Sequence, residues 1–247
     1  MSRISVQLYT LRNAIQQDLE SVLVRLSQAG FTQVEPFDIM AYPDLGSALS
    51  HAGLSAPTAH VHMIGESDER VDAIFDAALR SGIQTVIDPY REPSFWATRT
   101  DIEHTATLLN ALSERASALG LAVGYHNHAH EFETTLDGRY PLEILAESAH
   151  PDVQIELDTY WAAVAGANPA DILTTMGARV TALHIKDGPI THNDSDQVAV
   201  GSGSMPIRDI IKAAPNALRV IELDDYRGDP FDAVTESLRF LEQEGVA

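Results

Sequence analysis

Four side chains that can bind a divalent cation stand at the ends of four successive apolar segments in the C-terminal half of the chain. The segments are 121–133, 153–158, 180–187 and 218–225, and the residues are Glu131, Asp158, His184 and Glu222. Mixed carboxylate and imidazole ligation suits Mn²⁺, Mg²⁺, Co²⁺ or Zn²⁺. If the segments are parallel strands of one closed sheet, all four side chains converge on the same rim. The pattern therefore predicts a metal-dependent active site.

The alternation of residues within these segments indicates which side chains face the interior of such a sheet. Glu156 and Asp158 share one side of the segment VQIELD, and His184 and Lys186 share one side of ALHIKD. Acids that point into a packed interior are costly unless they are paired or bound to a cation. The alternation therefore supports the same metal site.

The densest group of polar residues is the tract HNHAHEFE, which holds His126, His128, His130 and Glu131. A polar loop with one or two satisfied histidines is the structural alternative, and a histidine-rich tract can also bind metal adventitiously. Because the tract directly follows an apolar segment and shares its predicted rim with the other candidate ligands, we favour a functional site.

The elements that must position these residues alternate along the whole chain. Strands are predicted at 4–8, 32–37, 55–61, 84–88, 121–127, 153–157, 180–186 and 218–223, and helices at 12–29, 43–52, 67–81, 100–119, 140–149, 169–177, 206–214 and 230–243. Glycines such as Gly30 and Gly53 stand where a helix would end before the next strand. This alternation predicts a single-domain α/β protein, a (β/α)8 TIM barrel over residues 1–247. A doubly wound sheet would have fewer strands and a glycine-rich loop after the first.

Composition excludes several classes of function. The chain of 247 residues has no cysteine, which rules out disulfides, thiolate zinc sites and a cysteine nucleophile. Its 36 acidic and 16 basic residues give a formal net charge of −20, which opposes binding to a phosphate backbone. No apolar run reaches the roughly 18 residues of a membrane span, and no signal peptide is recognisable. We expect a cytoplasmic protein that binds neither nucleic acid nor membranes.

An ordered set of motifs resembles the xylose isomerase-like TIM barrels, a broad group of sugar (phosphate) isomerases and epimerases. The motifs are YHNHxxEF from residue 125, DxxWxxxAG from 158, HIKDG from 184 and ExD from 222, with ISVQLYTLR, GFTQVEPF and PTAHVHM in the first half. The resemblance implies one divalent metal ion held from strands 5 to 8 by Glu131, Asp158, His184 and Glu222. Many relatives end the fifth strand in a glutamate, whereas this chain has His126 there. His126 and His128 therefore stay open as alternatives to Glu131.

The resemblance also implies the reaction, which is isomerisation or epimerisation of a small carbohydrate: a sugar, a sugar phosphate or an inosose. A proton next to a carbonyl is removed, and the metal stabilises the resulting enediolate. Glu222 is expected to be one catalytic base, and Glu131 or a histidine such as His126 the other.

Other residues at the predicted rim are expected to bind the substrate. They are His60, His128, Lys186, Trp161 and Glu35, of which His60 and Lys186 would orient substrate oxygens or stabilise negative charge. The tract GSGSMP at 201–206 is either a plain turn or an anchor for a polar or phosphate group at a helix N-terminus.

Three alternatives share the predicted fold. One is a metal-dependent lyase or dehydratase acting on a 3-oxo-sugar or inosose, since it begins with the same proton abstraction. Another is an endonuclease IV-type nuclease, which the acidic charge disfavours. The third is a non-catalytic sugar-binding subunit, which the candidate metal ligands disfavour. A homo-oligomer is possible for such a barrel, although no segment demonstrates an interface.

Overall fold

In the computed structural model, which describes residues 3–245, seven parallel strands form one curled sheet. The strands are β1 (Ile4–Val6), β2 (Thr58–His60), β3 (Thr85–Asp88), β4 (Ala122–His126), β5 (Gln154–Asp158), β6 (Val180–Ile185) and β7 (Leu218–Ile221). Their order in the sheet is β1-β7-β6-β5-β4-β3-β2. The sequence order and the parallel pairing are those expected when a helix returns the chain after each strand.

The segment 32–37, predicted as a strand, lies between β1 and β2 and joins the two edges of the sheet. It makes isolated parallel bridges rather than a continuous ladder, pairing Gln7 with Glu35, Gln33 with Ser55, and Phe37 with His60. Pro36 lacks an N–H and cannot donate to a ladder, which explains the interruption. The segment nevertheless occupies the eighth position, and the predicted TIM barrel fold is confirmed.

Ten α-helices surround the sheet in the described part of the chain. They are α1 (Arg12–Ile15), α2 (Leu19–Ala29), α3 (Leu45–Ala52), α4 (Asp68–Arg80), α5 (Arg99–Ser117), α6 (Pro141–Ser148), α7 (Thr159–Val164), α8 (Pro169–Met176), α9 (Ile207–Ala213) and α10 (Pro230–Gln243). None of the helices within residues 3–245 is long and apolar enough to cross a membrane.

The helix predictions are correct except in two places. The single helix predicted over 12–29 is two helices, because Asp18 accepts a hydrogen bond from Ser21 N at 3.0 Å and begins α2 as its N-cap. Helix α7 was not predicted. Its N-cap is Asp158, which ends β5 and accepts a hydrogen bond from Trp161 N. Gly30 and Gly53 do end α2 and α3 with φ of 110° and 70°, a conformation that glycine adopts without strain.

The main hydrophobic core lies between the sheet and the helices. On β5 the residues Ile155 and Leu157 are fully buried in it, while Glu156 and Asp158 point to the opposite side of the strand, as the alternation predicts. The carboxyl ends of the strands therefore enclose a polar interior, and the candidate site lies there.

Candidate active site

A cavity of about 470 Å³ opens over the carboxyl ends of the strands. Four of the residues predicted from the sequence line it: His60, His126, His128 and Glu222. The remaining lining residues are Tyr9, Phe37, Asp38, Val61, His62, Arg70, Pro89, Tyr90 and Asp224. Glu131, Lys186, Trp161 and Glu35 do not line this cavity but lie around it.

Asp158, His184 and Glu222 come together beside the cavity. One potential ligand atom from each lies within 4.8 Å of the others, and all three side chains are buried. The sheet produces this arrangement, since Asp158 pairs with His184 in register across β5 and β6, and Glu222 follows β7 directly. The structure therefore brings these three side chains together on one rim.

Lys186 supplies a positive charge to the same carboxylates. Its Nζ lies 2.9 Å from Asp158 Oδ2, 2.8 Å from Glu222 Oε2 and 2.6 Å from Asp224 Oδ2. Burial acts to lower the pKa of Lys186, but Asp158, Asp224 and Glu222 together raise it well above its ordinary value. The side chain is therefore an ammonium ion at neutral pH.

The charges of these neighbours set the protonation of the two acids. Burial acts to raise the pKa of Glu222, yet the cations Lys186 and His184 hold it well below its ordinary value. Burial raises the pKa of Asp158 to about 6, because Lys186 and His184 offset the loss of water only in part. Glu222 is thus ionised at neutral pH and can accept a proton.

Both ring nitrogens of His184 face carboxylates. Nδ1 lies 2.6 Å from Glu222 Oε2, and Nε2 lies 2.8 Å from Glu35 Oε1. Burial opposes protonation, but the negative charges of Glu156 and Glu222 raise the pKa of His184 well above its ordinary value. A cation that binds through one of these nitrogens must therefore displace a proton.

A second group of four buried side chains lies next to the first and shares His184. It consists of His60, His126, Glu156 and His184, whose potential ligand atoms also lie within 4.8 Å of one another. Glu156 Oε2 lies 2.5 Å from His60 Nε2, 3.2 Å from His184 Nε2 and 3.3 Å from His126 Nδ1. Sequence reasoning assigned no role to Glu156, although the alternation in VQIELD already placed it inside the barrel.

Glu131 is buried but is not brought together with the other candidate ligands. Tyr125 donates its hydroxyl to Oε1 at 2.7 Å, and the backbone N–H of His128 donates to Oε2 at 2.9 Å. Burial raises the pKa of Glu131 to about 7, with these hydrogen bonds opposing the shift. His126, by contrast, has its Nε2 3.9 Å from Asp158 Oδ2.

The predicted substrate-binding residues have different surroundings. Glu35 is fully buried and accepts hydrogen bonds from Gln7 Nε2 at 2.8 Å and from the Thr58 hydroxyl. Trp161 packs beside the site with its ring 5.6 Å from Lys186 Nζ. Burial, reinforced by the nearby charge of Lys186, lowers the pKa of His128 to about 3, so its imidazole faces the cavity in the neutral form.

The glycine-rich loop at 201–206 wraps around the carboxylate of Asp187. That carboxylate accepts hydrogen bonds from the backbone N–H groups of Gly201, Gly203 and Met205 at 2.9, 3.1 and 3.0 Å. A Cβ at Gly203 would lie 2.2 Å from Asp187 Oδ1, so the close approach requires glycine. Because these amides already bind an internal anion, the loop is a structural turn rather than a phosphate anchor.

The Asp158–His184–Glu222 group fits a divalent cation. Its donors are carboxylate oxygens and an imidazole nitrogen, which suit the harder and intermediate divalent metals. Asp158 Oδ2 is buried and has no aligned hydrogen bond among the described residues, although it lies close to Lys186 Nζ. A buried carboxylate oxygen whose one close neighbour is an ammonium group is a candidate ligand position for a cation.

Solved structures of similar fold cover almost the whole chain. A sugar phosphate isomerase/epimerase from Parabacteroides distasonis is 23% identical over 98% of this chain and 94% of its own, with a TM-score of 0.77. The probable 3-DHS dehydratase AsbF, involved in petrobactin synthesis in Bacillus anthracis, is 13% identical over 98% and 99%, with a TM-score of 0.76. The IOLI protein, solved with a bound zinc atom, is 14% identical over 98% and 97%, with a TM-score of 0.74. At these identities the likeness shows the fold alone.

No curated protein sequence matches the chain. The family model described as the xylose isomerase-like TIM barrel does match, over residues 23–244. Nearly all of the barrel and every residue of the candidate site from Glu35 to Glu222 lie within this match. The chain therefore belongs to the xylose isomerase-like TIM barrel family.

Proposed function

We propose that this protein is a divalent-metal-dependent isomerase or epimerase of a small carbohydrate. The observation that supports this most is the group of Asp158, His184 and Glu222, buried together beside a cavity that has Glu222 in its wall. The family and the neighbouring isomerase/epimerase fold are consistent with the same chemistry.

Asp158, His184 and Glu222 would hold the cation together with one residue from the tract after β4. Glu131, His126 and His128 are the candidates. Both carboxylate oxygens of Glu131 already accept hydrogen bonds within the protein, whereas His126 Nε2 faces Asp158 Oδ2. These contacts favour His126 as the fourth ligand over Glu131.

A divalent cation at these residues would polarise the substrate carbonyl and stabilise the enediolate that forms when the neighbouring proton leaves. Glu222 is the proposed base, because it lines the cavity and Lys186 keeps it ionised. A second proton-transfer group is needed on the other side of the reacting carbon for isomerisation or epimerisation. The tract 126–131 supplies it, with the neutral imidazole of His128 at the cavity and Glu131 behind it.

His60 and Lys186 would orient oxygens of the substrate. His60 lines the cavity and is itself held by Glu156 at 2.5 Å. Lys186 lies behind Glu222 and would also limit the negative charge that builds up during proton abstraction.

The test is metal-dependent uptake of solvent deuterium. The protein is stripped of metal, reconstituted with Mn²⁺, Mg²⁺, Co²⁺ or Zn²⁺, and incubated in D₂O with free ketoses, sugar phosphates and inososes. We expect deuterium to enter one carbon next to the carbonyl only in the reconstituted samples. Equal incorporation with and without metal would refute the metal-dependent reaction, and no incorporation into any sugar would refute proton abstraction.

A lyase or dehydratase is the second candidate function. It is supported by the fold that this chain shares with the probable 3-DHS dehydratase. It would begin with the same proton abstraction but expel water or another leaving group instead of returning the proton. Mass spectrometry of the products distinguishes the two, because an isomer or epimer keeps the mass of the substrate and a dehydrated product is lighter by one water.

A further inference from the structure

We infer that Glu35 and Glu156 form a carboxylate layer beneath the candidate metal centre that holds its two imidazole ligands in opposite tautomers. This inference rests on the proposed function, since it takes His184 and His126 as metal ligands. In metal sites, a ligating histidine donates its other ring N–H to a carboxylate or carbonyl, which fixes its tautomer and orientation. The two glutamates are positioned to accept those hydrogens.

His184 faces the centre with Nδ1 and the carboxylate layer with Nε2. Nδ1 lies 2.6 Å from Glu222, a candidate ligand, while Nε2 lies 2.8 Å from Glu35 Oε1 and 3.2 Å from Glu156 Oε2. The metal would therefore take Nδ1 and leave the hydrogen on Nε2.

His126 has the reverse orientation. Its Nε2 faces Asp158, a candidate ligand, and its Nδ1 lies 3.3 Å from Glu156 Oε2. This Nδ1 has no aligned hydrogen bond among the described residues, and neither has Glu156 Oε1. His126 and Glu156 pair in register on β4 and β5. A small rotation of the Glu156 carboxylate would therefore let His126 Nδ1 donate a hydrogen bond to Oε1. The metal would take Nε2 and leave the hydrogen on Nδ1.

The carboxylate layer is itself fixed in place. Gln7, which follows β1, and Thr58 of β2 hold Glu35, and His60 holds Glu156 across the barrel at 2.5 Å. Both glutamates are buried, with exposed fractions of 0% and 1%. Because β2, β5 and the 32–37 segment hold the layer, it can orient the imidazoles more rigidly than a flexible loop could.

The same four side chains could instead be read as an inner metal site. The two possibilities differ in the number of ions bound, because an inner site beside the outer group would hold a second ion with Glu156 as one of its ligands. We take Glu156 as a positioning residue because its Oε2 lies 2.5 to 3.3 Å from one ring nitrogen each of His60, His184 and His126.

The first test reads the tautomers directly in the zinc-loaded protein, by long-range ¹H–¹⁵N NMR of the histidine side chains. We expect His184 to carry its hydrogen on Nε2 and His126 to carry its hydrogen on Nδ1. If both rings show the same tautomer, or if the His126 ring does not bind zinc, the inference is overturned. This outcome is independent of turnover, so deuterium uptake by some sugar would leave the proposed function standing.

The second test measures zinc affinity and stoichiometry for Glu35→Gln and Glu156→Gln by competition with a chelator. Each change removes the charge that holds an imidazole while keeping the side-chain shape, and we expect affinity to fall about 10- to 100-fold with one zinc still bound per chain. Asp88→Asn is the matched control, since Asp88 is equally buried but accepts hydrogen bonds from the backbone of Met63 and Ile64. Its zinc affinity should equal that of the wild type.

Two results would contradict the positioning role. Unchanged affinity in both glutamate variants would show that the layer does not support the ligands. A wild-type stoichiometry of two zinc ions, falling to one in Glu156→Gln, would establish the inner metal site instead. Circular dichroism of each variant checks folding, and Glu156→Asp, which keeps the charge, should recover part of the affinity if the fold is intact. A protein that binds no zinc or other divalent metal would overturn the proposed function together with the inference.

Discussion

The Nζ of Lys186 lies 2.9 Å from Oδ2 of Asp158, in the middle of the carboxylates that are candidates to bind a metal. The Lys186 ammonium thus brings one fixed positive charge to Asp158 and Glu222, the acids to which a bound divalent cation would bring two positive charges. Asp224 lies on its other side at 2.6 Å and gives it a partner that is not a candidate ligand. Lysine and metal can therefore share the neutralisation of one acidic cluster.

Replacing Lys186 with Met should destabilise the protein in a way that metal corrects. The change leaves buried acids unpaired, which costs about 3 to 5 kcal/mol. Thermal unfolding in EDTA should show a large fall in Tm, and saturating Mn²⁺ or Zn²⁺ should restore more of it than the same metal adds to the wild type. A loss of Tm that is identical with and without metal would show that the two cations do not act on the same carboxylates.

Replacing Glu222 with Gln should abolish most of the proton exchange. A positioned general base contributes about 100-fold or more to rate, and the amide cannot accept the proton. Deuterium uptake is compared with metal content measured on the same sample, so that loss of a base is separated from loss of a ligand. Asp225→Asn is the matched control, because Asp225 is an exposed neighbour whose side chain, among residues 3–245, accepts a hydrogen bond from Tyr226 N alone. Activity near the wild-type level with metal bound would refute Glu222 as the base.

Glu131 should make the protein less stable as the pH rises. Its pKa is raised by burial from 4.5 to about 7, so the folded state holds a proton that the unfolded chain releases. The stabilisation of the folded state by this bound proton is complete below pH 4.5 and is lost as the pH rises through about 7. Urea unfolding of the wild type and of Glu131→Gln between pH 4 and pH 8 checks this. The free energy of unfolding should decline less with pH in the variant, and parallel curves would contradict the assignment.

Metal affinity should rise with pH. The negative charges of Glu156 and Glu222 outweigh burial and keep His184 protonated above its ordinary pKa of 6.5, so a metal ion must displace that proton. Asp158, with a pKa of about 6, adds to the competition at the acidic end. Isothermal titration calorimetry in buffers of different ionisation enthalpy should reveal at least one proton released for each ion bound. A dissociation constant that is unchanged from pH 6 to pH 8 would rule out an imidazolium at His184.

The sequence predicted the barrel because its strands and helices follow regular periods, and it predicted the polar rim because strand ends of a parallel sheet meet. It also placed Glu156 on the inner face by alternation alone. It did not reveal that Glu156 meets His60, since these residues lie on β5 and β2 and their contact depends on how the whole sheet curls. The hydrogen bonds that occupy Glu131 were equally hidden, because they depend on the path of the loop after β4.

Three departures from the predicted elements had signals in the sequence. Aspartate is a common N-cap residue, and Asp158, the last residue of β5, marks the start of α7. Asp18 marks the start of α2 in the same way, within the segment predicted as one helix. At residues 32–37, Pro36 is a warning against a regular strand. In that segment the backbone still delivers Glu35 to the interior, because the bridge between Gln7 and Glu35 fixes its register with β1.

The loop around Asp187 also bears on which molecules this rim can accept. Three of its amides point at a carboxylate that belongs to the same chain and cannot diffuse away. A dissolved anion would have to compete with that tethered group, whose effective concentration is far higher than that of a metabolite. An anionic group on an incoming molecule would thus find these three amides already occupied.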